Sequence, residues 1–110
     1  MSRDPWSDLH MDFKISGRHV EVTPAMQDFA RSKTQKLQRY YDRIQEISVI
    51  VNQADHAFHV EIIVTIDHHE RVLASQRGDD VYACIDQIVD KLERQLTDVK
   101  ERLRNHKHVH

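Results

Sequence analysis

The stretch DDVYACIDQIVDKLERQLTDVKERL, residues 79–103, decides the fold. Val81, Ile85, Ile88, Leu92, Leu96, Val99 and Leu103 recur in it at steps of four, three, four, four, three and four, which makes one apolar stripe along a single long helix. Gly78 and Asp79 read as the stop before it and its cap. Such a stripe is longer than a small sheet can cover, so the C-terminal turns are expected to project beyond it. Residues 79–90 hold four Asp and no base, whereas 91–107 hold six Lys and Arg against three acids. Acid at the start and base at the end suit the helix dipole, so part of this pattern has a structural origin.

Upstream of this helix lie three strand patterns. Ile47, Val49 and Val51 alternate, as do Phe58, Val60, Ile62, Val64 and Ile66, and then Val72 and Ala74 around Leu73. His59, Glu61, Ile63 and Thr65 face away in the middle strand, so the sheet buries one side. The short connections, Asn52 to Ala57 and Asp67 to Glu70, imply antiparallel hairpins. Further upstream, Thr23 before Pro24 reads as an N-cap, and a helix is expected from about Pro24 to Tyr41. Its apolar face comprises Met26, Phe29, Ala30, Leu37, Tyr40, Tyr41 and Ile44, with Lys33 inside the arc. Phe13 and Ile15 mark a first strand of about five residues, which can lie parallel to the next strand through a right-handed crossover. The order is β-α-β-β-β-α, an α+β fold with both helices on one face of a four-stranded sheet. Residues 1–10 read as a flexible N-terminal arm, 11–106 as the domain and 107–110 as a flexible tail.

The 110 residues suffice for one domain. No stretch approaches the roughly 20 apolar residues of a membrane span, and the start lacks the order of a signal peptide, so a soluble cytoplasmic chain is expected. The lone Cys84 fits a reducing compartment and reads as a buried, inert thiol. A net charge of −2 excludes a uniformly basic nucleic-acid binder, and any polyanion site must come from segregated charge. Segregation is present: residues 24–44 carry Arg31, Lys33, Lys36, Arg39 and Arg43 against Asp28 and Asp42. On a helical projection of the last helix, Lys91, Arg94, Gln95 and Arg102 fall on one flank of the stripe and Lys100, Arg104 and Lys107 on the other, with Asp86, Asp90 and Glu101 around the back. Basic flanks of two helices laid side by side can border a shared groove suited to a phosphate backbone. The alternative is that these side chains snorkel over the core edge.

Two stretches, VTPAMQDFARSKTQKLQRYYDRI (22–44) and residues 79–103, resemble the ribosome hibernation-promoting factor and ribosome-associated inhibitor (protein Y) family, also called sigma-54 modulation proteins. The resemblance runs from Met11 to about His106. It implies a fold resembling a double-stranded-RNA-binding domain. It further implies a translation inhibitor that stabilises idle ribosomes from the messenger-RNA and transfer-RNA channel of the small ribosomal subunit, with ribosomal RNA as the partner. Lys33 and Lys36 match lysines of the family's first helix, and Lys91, Arg94 and Lys100 match basic positions of the second. With Arg39 and Arg102, which line the same faces, these are the expected ribosomal-RNA contacts. Asp98 stands among Lys91, Arg94 and Arg102 where short members are basic. The resemblance implies no cofactor and no small-molecule substrate, and admits a separate ribosome-dimerising partner protein.

Other readings meet obstacles. A generic double-stranded-RNA binder would carry lysines where Asp79 and Asp80 stand, and Phe13 and Phe58 fall in the core alternation instead of forming a stacking platform. His56 and His59, His68 and His69, and His106, His108 and His110 lack Cys or paired carboxylates at ligand spacing. There is no phosphate-cradling Gly-rich loop and no nucleophile elbow, so no enzyme is expected. The alternative of another class is a protein-interaction module that modulates a sigma factor through an exposed sheet face.

Overall fold

A computed structural model describes residues 12–67 and 70–108, with side chains as far as Arg104. The N-terminal arm expected over residues 1–10, as well as His68, His69 and His110, lies outside the described residues. The strands are β1 (Asp12–Arg18), β2 (Ile44–Ala54), β3 (Ala57–Ile66) and β4 (Arg71–Gly78), and the helices are α1 (Pro24–Gln35) and α2 (Val81–His108). They form one sheet in the order β1-β2-β3-β4. β1 runs parallel to β2, with Ile15 opposite Val49, and the other pairs are antiparallel, with Val49 opposite Ile62 and Ile62 opposite Ala74.

The apolar alternation sets which face is buried. Ile47, Val49, Val51, Val60, Ile62 and Val64 are fully buried, and they share one core with Met26, Ala30 and Leu37 of the first helical segment and Ile85, Ile88, Leu92 and Leu96 of α2. Both helices therefore cover the same side. α1 lies toward β1, where the Arg31 guanidinium stands 5.4 Å from the Phe13 ring centroid, and α2 lies toward β4. Leu73, on the other side of the sheet, is 51% exposed.

The first helical segment is shorter than its pattern suggests. α1 stops at Gln35, a 3₁₀ turn takes Lys36–Arg39, and Ile44 belongs to β2. Thr34 is buried and donates its hydroxyl to the carbonyl of Ala30 at 2.8 Å and that of Arg31 at 3.3 Å, but Thr97 back-bonds to Glu93 in the same way inside the unbroken α2, so this bond does not by itself end a helix. The break follows the packing: Leu37, Tyr41 and Ile44 are all buried, and Ile44 already opens β2. The 3₁₀ turn then brings both Leu37 and Tyr41 into the core, while Tyr40, which the periodicity put on the buried face, is 37% exposed. At the start of α1, Thr23 caps as expected, accepting from the Met26 N–H at 3.1 Å.

The cap of α2 is Asp80 in place of Asp79: its carboxylate accepts from the Tyr82 N–H at 3.0 Å. At 1.5 Å per residue α2 is about 42 Å long, against roughly 27 Å for the eight residues of β4. The expected overhang follows, and Leu103 at its far end is 47% exposed. The helix continues to His108, into the stretch read as tail. Gly17 has a separate requirement. A Cβ there would collide with the Val20 carbonyl, so only glycine lets the chain turn back at the end of β1.

Candidate nucleic-acid interface

α1 and the following 3₁₀ turn carry Lys33, Lys36 and Arg39, and α2 carries Lys91, Arg94, Lys100 and Arg102. The fold separates them. Lys33 sits in the seam between the helices, its Nζ 3.2 Å from Asp86 Oδ1 and 5.5 Å from the Phe29 ring centroid. Phe29 in turn meets Tyr82 edge to face at 5.1 Å. Asp86, assigned to the back of the helix by projection, thus faces α1.

Lys91 lies on the opposite flank. Its ammonium donates to the Ser75 carbonyl at 3.0 Å and to Gln76 Oε1 at 2.7 Å, and Gln95 Nε2 donates to the Leu73 carbonyl at 3.1 Å. β4 is an edge strand, so its outward carbonyls lack a neighbouring strand, and these two side chains satisfy them while covering the edge. Sequence reasoning missed this role, because nothing in the spacing says which flank of α2 meets the strand.

The shared groove expected between all the basic flanks is therefore divided. Two parallel helices expose four flanks, and only one flank of each can face the other. On the β4 side a cleft of about 720 Å³ contains Arg71 and Arg102 with Glu70, Asp98 and Glu101, and acids outnumber bases there. On the α1 side, under the overhang of α2, a second cleft of about 760 Å³ brings Arg39 and Arg43 together with Lys100 and Arg104. Asp42, Asp67 and Glu70 also line it. Arg43 is held by Asp67 at 3.1 Å, and that hydrogen bond keeps its guanidinium above the ordinary value. Tyr41 is buried beside them, and burial, followed by the Asp67 charge, pushes its phenol up. Among the described residues no ion pair or hydrogen bond ties down Lys36, Arg39, Arg94, Lys100 or Arg104. Arg104 belongs with this set although the family resemblance did not single it out; its position one helical turn from Lys100 was the signal that could have found it.

The other sheet face is open. Lys14, Ser48, Ile63 and Leu73 form one row across it, and Arg18, Asn52, His59 and Arg77 another. Cys84 is buried at 2% exposure. No described helix is long and apolar enough to cross a membrane. Among the described residues no three of His, Cys, Asp and Glu gather as a metal site.

A two-helix layer on one face of a β1-β2-β3-β4 sheet matches a known group. Residues 13–104 match the family model described as Sigma 54 modulation protein / S30EA ribosomal protein. The chain belongs to this family. A relative from Klebsiella oxytoca, named ribosome hibernation promoting factor, is 38% identical over 102 residues, covering 87% of this chain and 100% of its own. The factor of the same name from Escherichia coli K12 is 36% identical over 96 residues, with the same shares covered. Among solved structures, the N-terminal domain of Thermus thermophilus protein Y superposes with a TM-score of 0.72 at 32% identity, over 78% of this chain and 94% of that one. A ribosomal subunit interface protein from Coxiella burnetii superposes at 0.77 with 26% identity, over 83% and 99%. The Klebsiella, Escherichia and Coxiella proteins carry ribosomal names, which does not favour the sigma-factor alternative.

Proposed function

We propose that this chain binds the ribosome and holds it in an idle state. The observation that carries the reading is the family match across residues 13–104, with relatives named ribosome hibernation promoting factor over their whole length. In finer detail, the seat is the messenger-RNA and transfer-RNA channel of the small subunit, and the mechanism is steric occlusion without catalysis. Ribosomal-RNA phosphates are met by Lys36, Arg39, Arg94 and Lys100, joined by Arg104. Lys33, Lys91 and Arg102 stand nearer to acids or to the β4 edge and contribute less. A separate partner protein that pairs ribosomes is compatible with this seat.

Sedimentation with purified small subunits, large subunits and whole ribosomes tests the reading. The chain should run with small subunits and whole ribosomes, and its log affinity should fall linearly with log salt because counterions are released. Arg39→Glu with Lys100→Glu should abolish co-sedimentation at moderate salt, and at low salt should flatten the slope by about 1.4 to 1.8, as expected for two lost phosphate contacts. Binding to large subunits alone, or binding indifferent to salt, would overturn it.

A further inference from the structure

The cleft under the α2 overhang holds more than cations. Tyr40 and Leu103 both line it, and both are exposed, at 37% and 47%. They come from different elements, Tyr40 from the end of the 3₁₀ turn and Leu103 from the last described turns of α2. An exposed aromatic ring and an exposed leucine give the cleft an apolar slot, and cations line the same cleft.

The charge inside the cleft decides what enters. Asp42, Asp67 and Glu70 line it beside Arg39, Arg43, Lys100 and Arg104, so bases exceed acids by one. Arg43 is already engaged with Asp67 at 3.1 Å. A phosphate placed deep in this cleft would meet carboxylate oxygens and would leave the tyrosine ring without a partner. A flat, uncharged ring suits the slot better. It stacks on Tyr40, and an exocyclic amino group on its edge can donate to a carboxylate, as the bases adenine, cytosine and guanine can. Its flanking phosphates would then fall at the rim, where Arg39, Lys100 and Arg104 carry charge. Resting on the proposed ribosomal seat, we infer that this cleft receives one unstacked RNA base on the Tyr40 ring, so that part of the binding comes from stacking and is independent of counterion release.

Base stacking on aromatic side chains is sequence-tolerant and contributes enough that its removal weakens binding by about 5- to 150-fold. The test uses the full chain with small ribosomal subunits at two salt concentrations, together with base-specific chemical probing of the subunit RNA. Tyr40→Ala should weaken binding within that range with an unchanged salt slope, and should restore the reactivity of one base that the wild-type chain protects. Tyr40→Phe, which keeps the ring, should recover both affinity and protection. Leu103→Gln, from the other element, should reproduce the loss with the salt slope again unchanged, because it makes that side of the slot polar without adding charge, which guards against a folding defect peculiar to position 40. Wild-type affinity and an unchanged base pattern in Tyr40→Ala would overturn this inference and leave the ribosomal seat standing. So would a loss that Tyr40→Phe does not recover. If the wild-type chain protects RNA backbone but no base, the cleft contains phosphate or a protein segment and the inference falls. If it does not bind small subunits at all, the seat falls as well.

Discussion

Lys33 shows how one residue can satisfy a pattern and still be compromised for the role the pattern suggests. Its place in the apolar arc of α1 is explained by Asp86 at 3.2 Å and by the Phe29 ring, so much of its charge is already answered within the protein. Lys100 has no such partner among the described residues. Lys33→Ala should therefore cost clearly less ribosome affinity than Lys100→Ala, and since the Lys33–Asp86 pair is partly exposed its removal should lower stability by no more than about 1 kcal/mol. Binding and urea titrations of the two variants check this. Cys84 supplies a pH prediction. Burial first, then the charges of Asp80 and Asp79, raise its thiol above the ordinary value of 9.0. A folded-state pKa above the unfolded one favours the protonated folded form, so this contribution is complete below about pH 9 and is lost as pH rises through the raised value. Tyr41 acts in the same direction one step higher. The urea midpoint should hold to about pH 9 and then decline, and Cys84→Ala should show a shallower decline. Iodoacetamide should label Cys84 only as fast as the protein unfolds.

At the scale of elements, the β2–β3 hairpin is tighter than its residues favour. The loop between Ala54 and Ala57 is two residues long, and both Asp55 and His56 have positive φ, at 53° and 62°. Two positive values in a two-residue hairpin loop describe a type I′ turn, which suits the twist of the strands but prefers Asn-Gly. His56 has no conformational reason to be there. Replacing Asp55-His56 by Asn-Gly should raise stability by about 0.5–1 kcal/mol, once the greater unfolded-chain freedom of glycine is set against the relieved strain. A thermal melt reads it, and ribosome binding through the proposed basic cleft, which this loop does not line, should not change. The hairpin itself was legible from the alternation on either side. The end of α1 was not, because a back-bonded threonine such as Thr34 is equally compatible with a continuing helix, as Thr97 is in α2, and the break depends on where Leu37, Tyr41 and Ile44 pack.

For the whole molecule, the placement of α2 over β4 sorts its cations. Arg102 and Arg104 are two residues apart and carry the same charge, yet Arg102 shares a cleft with Glu70, Asp98 and Glu101, whereas Arg104 shares one with Arg39, Arg43 and Lys100. Arg104→Glu should therefore weaken ribosome binding far more than Arg102→Glu, and should flatten the salt dependence by about one more phosphate contact. Sedimentation at several salt concentrations separates the two. Equal losses would mean that the cleft of Arg102 meets RNA as closely as that of Arg104.

The α+β class, the element order, the single buried face of the sheet and the overhang of the last helix were all determined by the sequence, because each follows from local periodicity. Val81 through Val99 could bury their stripe in one way only, and the alternation of β3 left one apolar face to receive it. The division of the basic residues was decided by tertiary structure. A helical projection shows that Lys91 and Lys100 lie on different flanks but does not say which flank meets β4 and which meets α1. That depends on packing between elements distant in the chain, through contacts such as Lys91 with Ser75 and Lys33 with Asp86, and pairings of this kind leave no periodic trace. The cleft of Tyr40, Lys100 and Arg104 exists only because a 3₁₀ turn frees one tyrosine from the core just where the longer helix passes over it.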